Sequence, residues 1–160
     1  MTPDGIATED WDRVHQLAAD VVNASADGDT AAADAASLRI RGVLDELQKK
    51  YGPLPSLLAT RADYVDGLEE REYWLMAAYE QAQARGDLKN RVWVASSLAS
   101  LHLEEVGDPV TGERWLRALE GHLRTFPDES ERQEAIRLGG ILEELRTRPQ
   151  NKQMQRTRRG

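Results

Sequence analysis

The chain has 160 residues, enough for one domain or one short repeat array. It has no cysteine, which excludes disulfides and thiolate metal sites. With 28 acidic against 21 basic residues and a net charge of -7, it offers no general attraction to phosphate backbones or anionic membranes. Met1 to Asp12 holds neither a basic start nor an apolar run, so no signal peptide is expected. No stretch approaches the roughly 20 apolar residues of a membrane span. A bacterial-type cytoplasm fits these features.

Helical periodicity runs through the chain. Helix one is expected from Thr8, a good N-cap, to Ser25, with a stripe of Trp11, Val14, Ala18, Val21 and Val22. Asp27-Gly28-Asp29 stops it. Helix two spans Thr30 to Tyr51 on Ala36, Ile40, Val43, Leu44 and Leu47, and Gly52-Pro53-Leu54-Pro55 is the clearest break. Helix three starts at Pro55 or Ser56 and carries Leu57, Leu58, Ala62 and Val65 up to the turn Asp66-Gly67. Helix four runs from Leu68 to Arg85, with Leu75, Ala78, Tyr79 and Ala82 inside. Helix five spans Leu88 to Val106, with Val94, Ala95, Leu98, Ala99 and Leu101. After Gly107-Asp108-Pro109, helix six reaches Thr125 on Val110, Trp115, Leu116, Leu119 and Leu123. Helix seven, from Glu129 or Ser130 to Thr147, has Ala135, Leu138, Ile141, Leu142 and Leu145. No segment alternates with the period of a strand. The short links force consecutive helices to pack antiparallel, so residues 1–147 form one all-α domain of three hairpins (8–51, 55–86, 88–126) and a terminal helix, 129–147.

One pattern recurs. Tyr79-x-x-Ala82 reappears about 36 residues later as Trp115-x-x-Ala118, each preceded on the helix before it by a small residue, Ala62 or Ala99. Small positions admit a neighbouring backbone, and a ring fills the groove beside them. Trp115 and Ala118 are therefore expected to be buried where helices five and six cross.

From Val92 to Pro127 the chain resembles the tetratricopeptide repeats. Leu98-Ala99 sits where that family has its Leu-Gly/Ala pair, and His102 sits at a position usually held by tyrosine. Trp115 and Ala118 take the large-ring and alanine positions of helix B, and Pro127 follows a few residues later than the family places it. From Pro55 to Gly86 the match is weaker: Ala62 is one residue out of register with Tyr79 and Ala82, and Leu75 replaces the usual alanine. From Trp11 to Tyr51 only a helical hairpin and Ala18-Ala19 remain. The resemblance implies a short right-handed array in which the first helix of each hairpin lines a concave groove. The groove positions it implies are Trp93, Ser96, Ser100, Leu103 and Glu104 in the best unit and Ala59, Asp63 and Asp66 in the middle one. In the first unit they are Arg13, Gln16, Asp20 and Asn23. Such a groove is mildly acidic with one aromatic anchor and suits a basic partner.

Other features have plainer readings. His15, His102 and His122 are scattered, and no ligand cluster accompanies them. His102 is expected to be a partly exposed ring, with no metal or cofactor. The acid-rich run around Asp63, Asp66, Glu69, Glu70 and Glu72, with Arg71 among it, reads as a salt-bridged helix surface. Of the neighbours Tyr73 and Trp74, one must leave the centre of helix four, exposed or packed against a flanking helix. Gly139-Gly140 inside helix seven implies a close helix approach, a kink or a weak helix. The tail 148–160 carries Arg148, Lys152, Arg156, Arg158 and Arg159 and no acid, and is expected to be disordered.

The expected function is a non-enzymatic protein-binding module in the cytoplasm, either an adaptor or an immunity protein or antitoxin that covers the basic surface of a toxin. The rivals are an enzyme with an unrecognised carboxylate site and a nucleic-acid-associated regulator that uses the basic tail. The acidic folded part opposes the second.

Overall fold

The computed structural model describes residues 1–148 and, among them, contains helices and their connections but no strand. The helices are α1 (Thr8–Ala26), α2 (Thr30–Tyr51), α3 (Pro55–Ala62), α4 (Leu68–Ala84), α5 (Leu88–Ser100), α6 (Pro109–Thr125) and α7 (Glu129–Thr147). A π-helical segment, Leu101–Val106, prolongs α5. Most of the basic tail lies outside the described residues.

Glycine and aspartate set the connections. Gly28, Gly86 and Gly107 adopt φ of 72°, 67° and 73°, the left-handed conformation that ends a helix and that other residues avoid. The aspartate after each caps the next helix. Asp29 accepts the Ala32 N–H, Asp87 the Asn90 N–H, and Asp108 the N–H groups of Val110 and Thr111. Asp128, after Pro127, accepts the Glu131 N–H in the same way. Thr8 is not a cap. Ala7 holds that position without a side-chain bond, and the Thr8 hydroxyl accepts from the Met1 ammonium at 2.6 Å.

Each helix packs on the next, and α3 also touches α5 while α5 touches α7. Two cores result. Ile6, Val14, Ile40, Leu44, Leu47, Leu54 and Leu57 seal α1 and α2 onto the start of α3. Leu58 and Ala62 turn the other side of α3 into the larger core, which runs through α4, α5, α6 and α7. Among the helices α1 packs chiefly on α2, so only part of its surface is covered. Val22 falls outside that stripe and is 66% exposed, against the sequence expectation. Val110, at the start of α6, is also exposed. Helix three ends before Val65, because Arg41 of α2 donates to the Tyr64 carbonyl and the chain turns there.

The recurrent rings meet each other. Tyr79 and Trp115 pack edge to face with centroids 4.9 Å apart, and the Tyr79 hydroxyl is 2.7 Å from His122 Nε2. Burial first, then the Arg91 charge, pushes His122 below its ordinary pKa, which keeps the imidazole neutral and able to accept. Trp115 is buried as expected. Ala118 is only half-buried, because the inward line of α6 is Trp115, Leu116, Leu119 and Leu123 and Ala118 sits at its margin. Trp74 packs under Arg61, whose guanidinium lies 4.9 Å from the ring centroid and bonds Asp45 and Gln48 of α2. Tyr73 is the exposed member of that pair.

Helix five is not α-helical to its end. Leu101, His102 and Leu103 are all buried, and three successive inward residues exceed what one face of a 3.6-residue turn supplies. The wider π turn brings all three inside. Leu103 then rests directly on Gly112 of α6, where a Cβ would stand 2.3 Å from Leu103 Cδ2. His102 is accordingly not the partly exposed ring the sequence suggested. It is buried, with Nε2 3.0 Å from Glu72 Oε1.

Gly139 and Gly140 show no such contact: a Cβ at either meets no atom within 4 Å. Close helix approach is not their explanation. Gly139→Ala and Gly140→Ala are each expected to stabilise the fold by about 1 kcal/mol, the helix-propensity gain, read as a rise in urea midpoint. A fall at both positions would show that α7 needs their flexibility.

Candidate functional site

A cleft of about 330 Å³ opens between the end of α3, the start of α4, the outer side of α5 and the start of α7. Its lining is Asp63, Arg71, Leu75, Ser96, Ser97, Ser100, Ser130, Glu131 and Glu134. The serines follow from the register of α5: Ala95, Leu98 and Ala99 point into the core, which leaves Ser96, Ser97 and Ser100 toward the cleft. Ser96 is the most enclosed polar group, 7% exposed. The Ser97 hydroxyl donates back to the Trp93 carbonyl, and Ser100 donates to Glu104 at 3.3 Å.

The charges divide into two classes. Arg71 holds both oxygens of Glu105, at 2.6 and 2.8 Å. Arg137 bonds Glu104 and Glu134, and its bond to Glu134 holds that carboxyl below its usual range. Asp63 and Glu131 have no cation within ion-pair distance among the described residues. Asp63 reaches water yet stands in the concave wall. Partial desolvation raises its pKa, and the more distant Arg71 charge offsets this only in part. Glu131 is raised mainly by desolvation and further by Asp128 and Glu134, with the Ser96 hydroxyl opposing. Its Oε2 is buried without a hydrogen-bond partner.

Three of the expected groove residues, Asp63, Ser96 and Ser100, thus come together. The rest separate for identifiable reasons. Glu104 is tied to Ser100 and Arg137 and does not line the cleft. Leu103 is 2% exposed, turned inward by the π segment. Ala59 is half-buried against the larger core. Asp66 follows the early end of α3, and its side chain is 99% exposed and 3.7 Å from Arg41. Trp93 is 36% exposed and lines a different recess with Met1, Pro3, Trp11 and His15, under the Lys89 ammonium. It is not an anchor within the acidic cleft. Arg13 and Gln16 line a recess between α1 and α2, where Arg13 bonds Glu46 at 2.9 Å. Asp20 and Asn23 lie farther along α1 and do not line the cleft. Conversely, Arg71, Ser97, Ser130, Glu131 and Glu134 were not anticipated. Asp128-x-x-Glu131 marks the first turn of α7 in the sequence, but its stacking on α5 is a long-range contact without a local signal.

No family model, curated protein or solved structure matches the chain. Among the described residues no three His, Cys, Asp or Glu side chains group as a metal site, and no helix is long and apolar enough to cross a membrane. No histidine lines the cleft, so its serines have no imidazole base beside them.

The raised Glu131 has a measurable consequence. Its unfolded pKa is near the ordinary 4.5 and its folded pKa is higher. The native chain therefore holds the extra proton in the window between them. The stability this proton contributes is complete below about 4.5 and is lost as pH rises through the folded value. Glutamine never ionises. Glu131→Gln is expected to melt above wild type at pH 7, by about 1 kcal/mol, because a neutral amide loses less on burial than a carboxylate. The gap should close as the pH falls toward 4.5. Equal stability at pH 7 would contradict the desolvated carboxylate.

Proposed function

We propose that the chain is a non-enzymatic protein-binding module, an adaptor or an immunity or antitoxin protein, and that the α3–α5–α7 cleft receives a basic segment of its partner. The observation that carries this reading is the pair of unpaired carboxylates, Asp63 and Glu131, in one concave polar cleft whose third acid, Glu134, is already paired with Arg137. Carboxylates in such a wall speed encounter with a cationic surface and discriminate against acidic ones. The arrangement of alternate helices supports a tetratricopeptide-like array: α3, α5 and α7 touch in succession, so the first helix of each later pair shares one face. The α1–α2 hairpin packs mainly on α3, shares a recess with Trp93 of α5, and contributes no residue to the cleft.

Raised carboxylates also occur in catalytic sites. Here a binding role is favoured because the cleft is open, shallow in apolar lining and without a nucleophile–base pair. The test is affinity capture from the source organism with two baits, the wild-type chain and Asp63→Lys/Glu131→Lys. A partner retained by the first and lost by the second supports the reading. Equal retention, or no retained protein in either case, argues against it.

A further inference from the structure

We propose that the chain forms a two-fold symmetric dimer through its α1–α2 hairpin, with Leu38 of each copy seated in the α1–α2 groove of the other. This surface is separate from the α3–α5–α7 cleft, to which α1 and α2 contribute no residue.

The groove is the first observation. A recess of about 620 Å³ opens between α1 and α2. Leu17 and Val43, both only partly buried, are its apolar floor. Gly42 keeps it open beside them, for a Cβ there would meet no atom within 4 Å. A glycine inside a helix lowers its stability, and no contact within the chain offsets that at Gly42.

The second observation is a knob beside this hole. Leu38 stands one turn before Gly42 on the same face of α2, about 6 Å away along the axis. It is 65% exposed. Ala31 and Ala35 continue that face at helical spacing, and both are exposed. Such small side chains let a facing helix come close. A knob and a hole side by side on one face are what an isologous interface uses. A two-fold axis between them sets each knob in the other copy's hole, and both contacts form together.

Charge selects a second copy over a different protein. Arg13 of α1 is already paired with Glu46 of α2, at 2.9 Å. The rest of the charged rim is Arg39 on α2 and Glu9 and Asp12 on α1, and these side chains have no partner among the described residues. A partner of one sign would leave part of that rim unmatched. A second copy brings both signs: its Arg39, next to its Leu38, arrives at Glu9 and Asp12, and its own two acids receive Arg39 in return. The area is sufficient. Helices of 19 and 22 residues are about 30 Å long, and two side by side are about 20 Å wide. That outline, ridged by side chains, is of the size of the ~800 Å² per partner that specific interfaces bury.

Sedimentation equilibrium of the full chain from about 1 to 100 µM tests the proposal. Wild type should approach a mass of twice 17.9 kDa as the concentration rises. Leu38→Glu places a charge in the apolar groove. It should raise the dimer Kd by at least about a hundredfold, since a two-fold axis counts each change twice. Gly42→Leu fills the groove and should act in the same way. Both positions are open in the single chain, so circular dichroism should show unchanged helix in both variants. Arg39→Glu should weaken the dimer by about tenfold or more, and adding Glu9→Lys and Asp12→Lys should restore it. A wild type that stays at 17.9 kDa throughout would overturn the proposal and leave the groove to a different protein or to solvent. A dimer indifferent to Leu38→Glu and Gly42→Leu would overturn it too, as would one that the reversed charges fail to restore.

Discussion

Gly112→Ala is expected to destabilise the fold by about 1–3 kcal/mol, although alanine is the better helix former. Propensity alone favours the change by about 1 kcal/mol. Against this, the new methyl would stand 2.3 Å from Leu103 Cδ2 and 2.5 Å from Cγ, and the Leu103 backbone N lies 3.4 Å away. Cγ is not the free end of a flexible chain, and Leu103 is buried on all sides, so the π segment or α6 must move. The same substitution at Gly140, where nothing lies within 4 Å, should act in the opposite sense. Urea unfolding of the two variants gives the comparison. Leu103→Ala should cost about 2–5 kcal/mol by itself as a buried leucine truncation. The double variant Gly112→Ala/Leu103→Ala should cost less than the two singles together, because the methyl then enters the space that leucine leaves. A Gly112→Ala variant more stable than wild type, or strict additivity, would mean that the contact does not hold α6 against the π segment.

That contact also shows where the sequence was readable and where it was not. Helix order and turns were legible because Gly28-Asp29, Gly86-Asp87 and Gly107-Asp108 each end one helix and cap the next through local bonds. The crossing core at Ala95, Leu98, Ala99, Trp115 and Leu119 was legible from spacing of small and large residues. The π segment was not. Leu101, His102 and Leu103 read as an ordinary stretch of helix, and neither the π turn that brings all three inside nor the seat of Leu103 on Gly112 has a local signature. The shift moved Leu103 out of the groove expected for it. The cleft was half visible. Asp63, Ser96 and Ser100 lie on helices whose inward faces were correctly placed, so their outward positions followed. Glu131 and Ser130 escaped because α7 reads as a closing helix, and nothing local says that it stacks on α5. Trp93 was misplaced for a related reason: whether one turn of α5 faces the cleft or the N-terminal segment is decided by contacts across about eighty residues of chain.

Asp63 and Glu131 are proposed to form together the surface on which a basic partner is held. Asp63→Lys/Glu131→Lys replaces two acceptors by two cations in the same cleft. Removing one member of a desolvated charge pair costs about 2–5 kcal/mol, and like charges brought together add to that. The variant's Kd for the captured partner should therefore rise by at least about thirtyfold. The wild-type association rate should fall steeply with added salt, and that of the variant should depend on salt weakly. Circular dichroism should give both proteins the same helical content, which separates lost binding from lost folding. The most direct measurement is this pair of dissociation constants, by calorimetry at about 0.15 M ionic strength with the purified partner. A rise of thirtyfold or more with an intact helical spectrum is the predicted result. A Kd within about threefold of wild type, roughly 0.6 kcal/mol, with the same intact spectrum would contradict it.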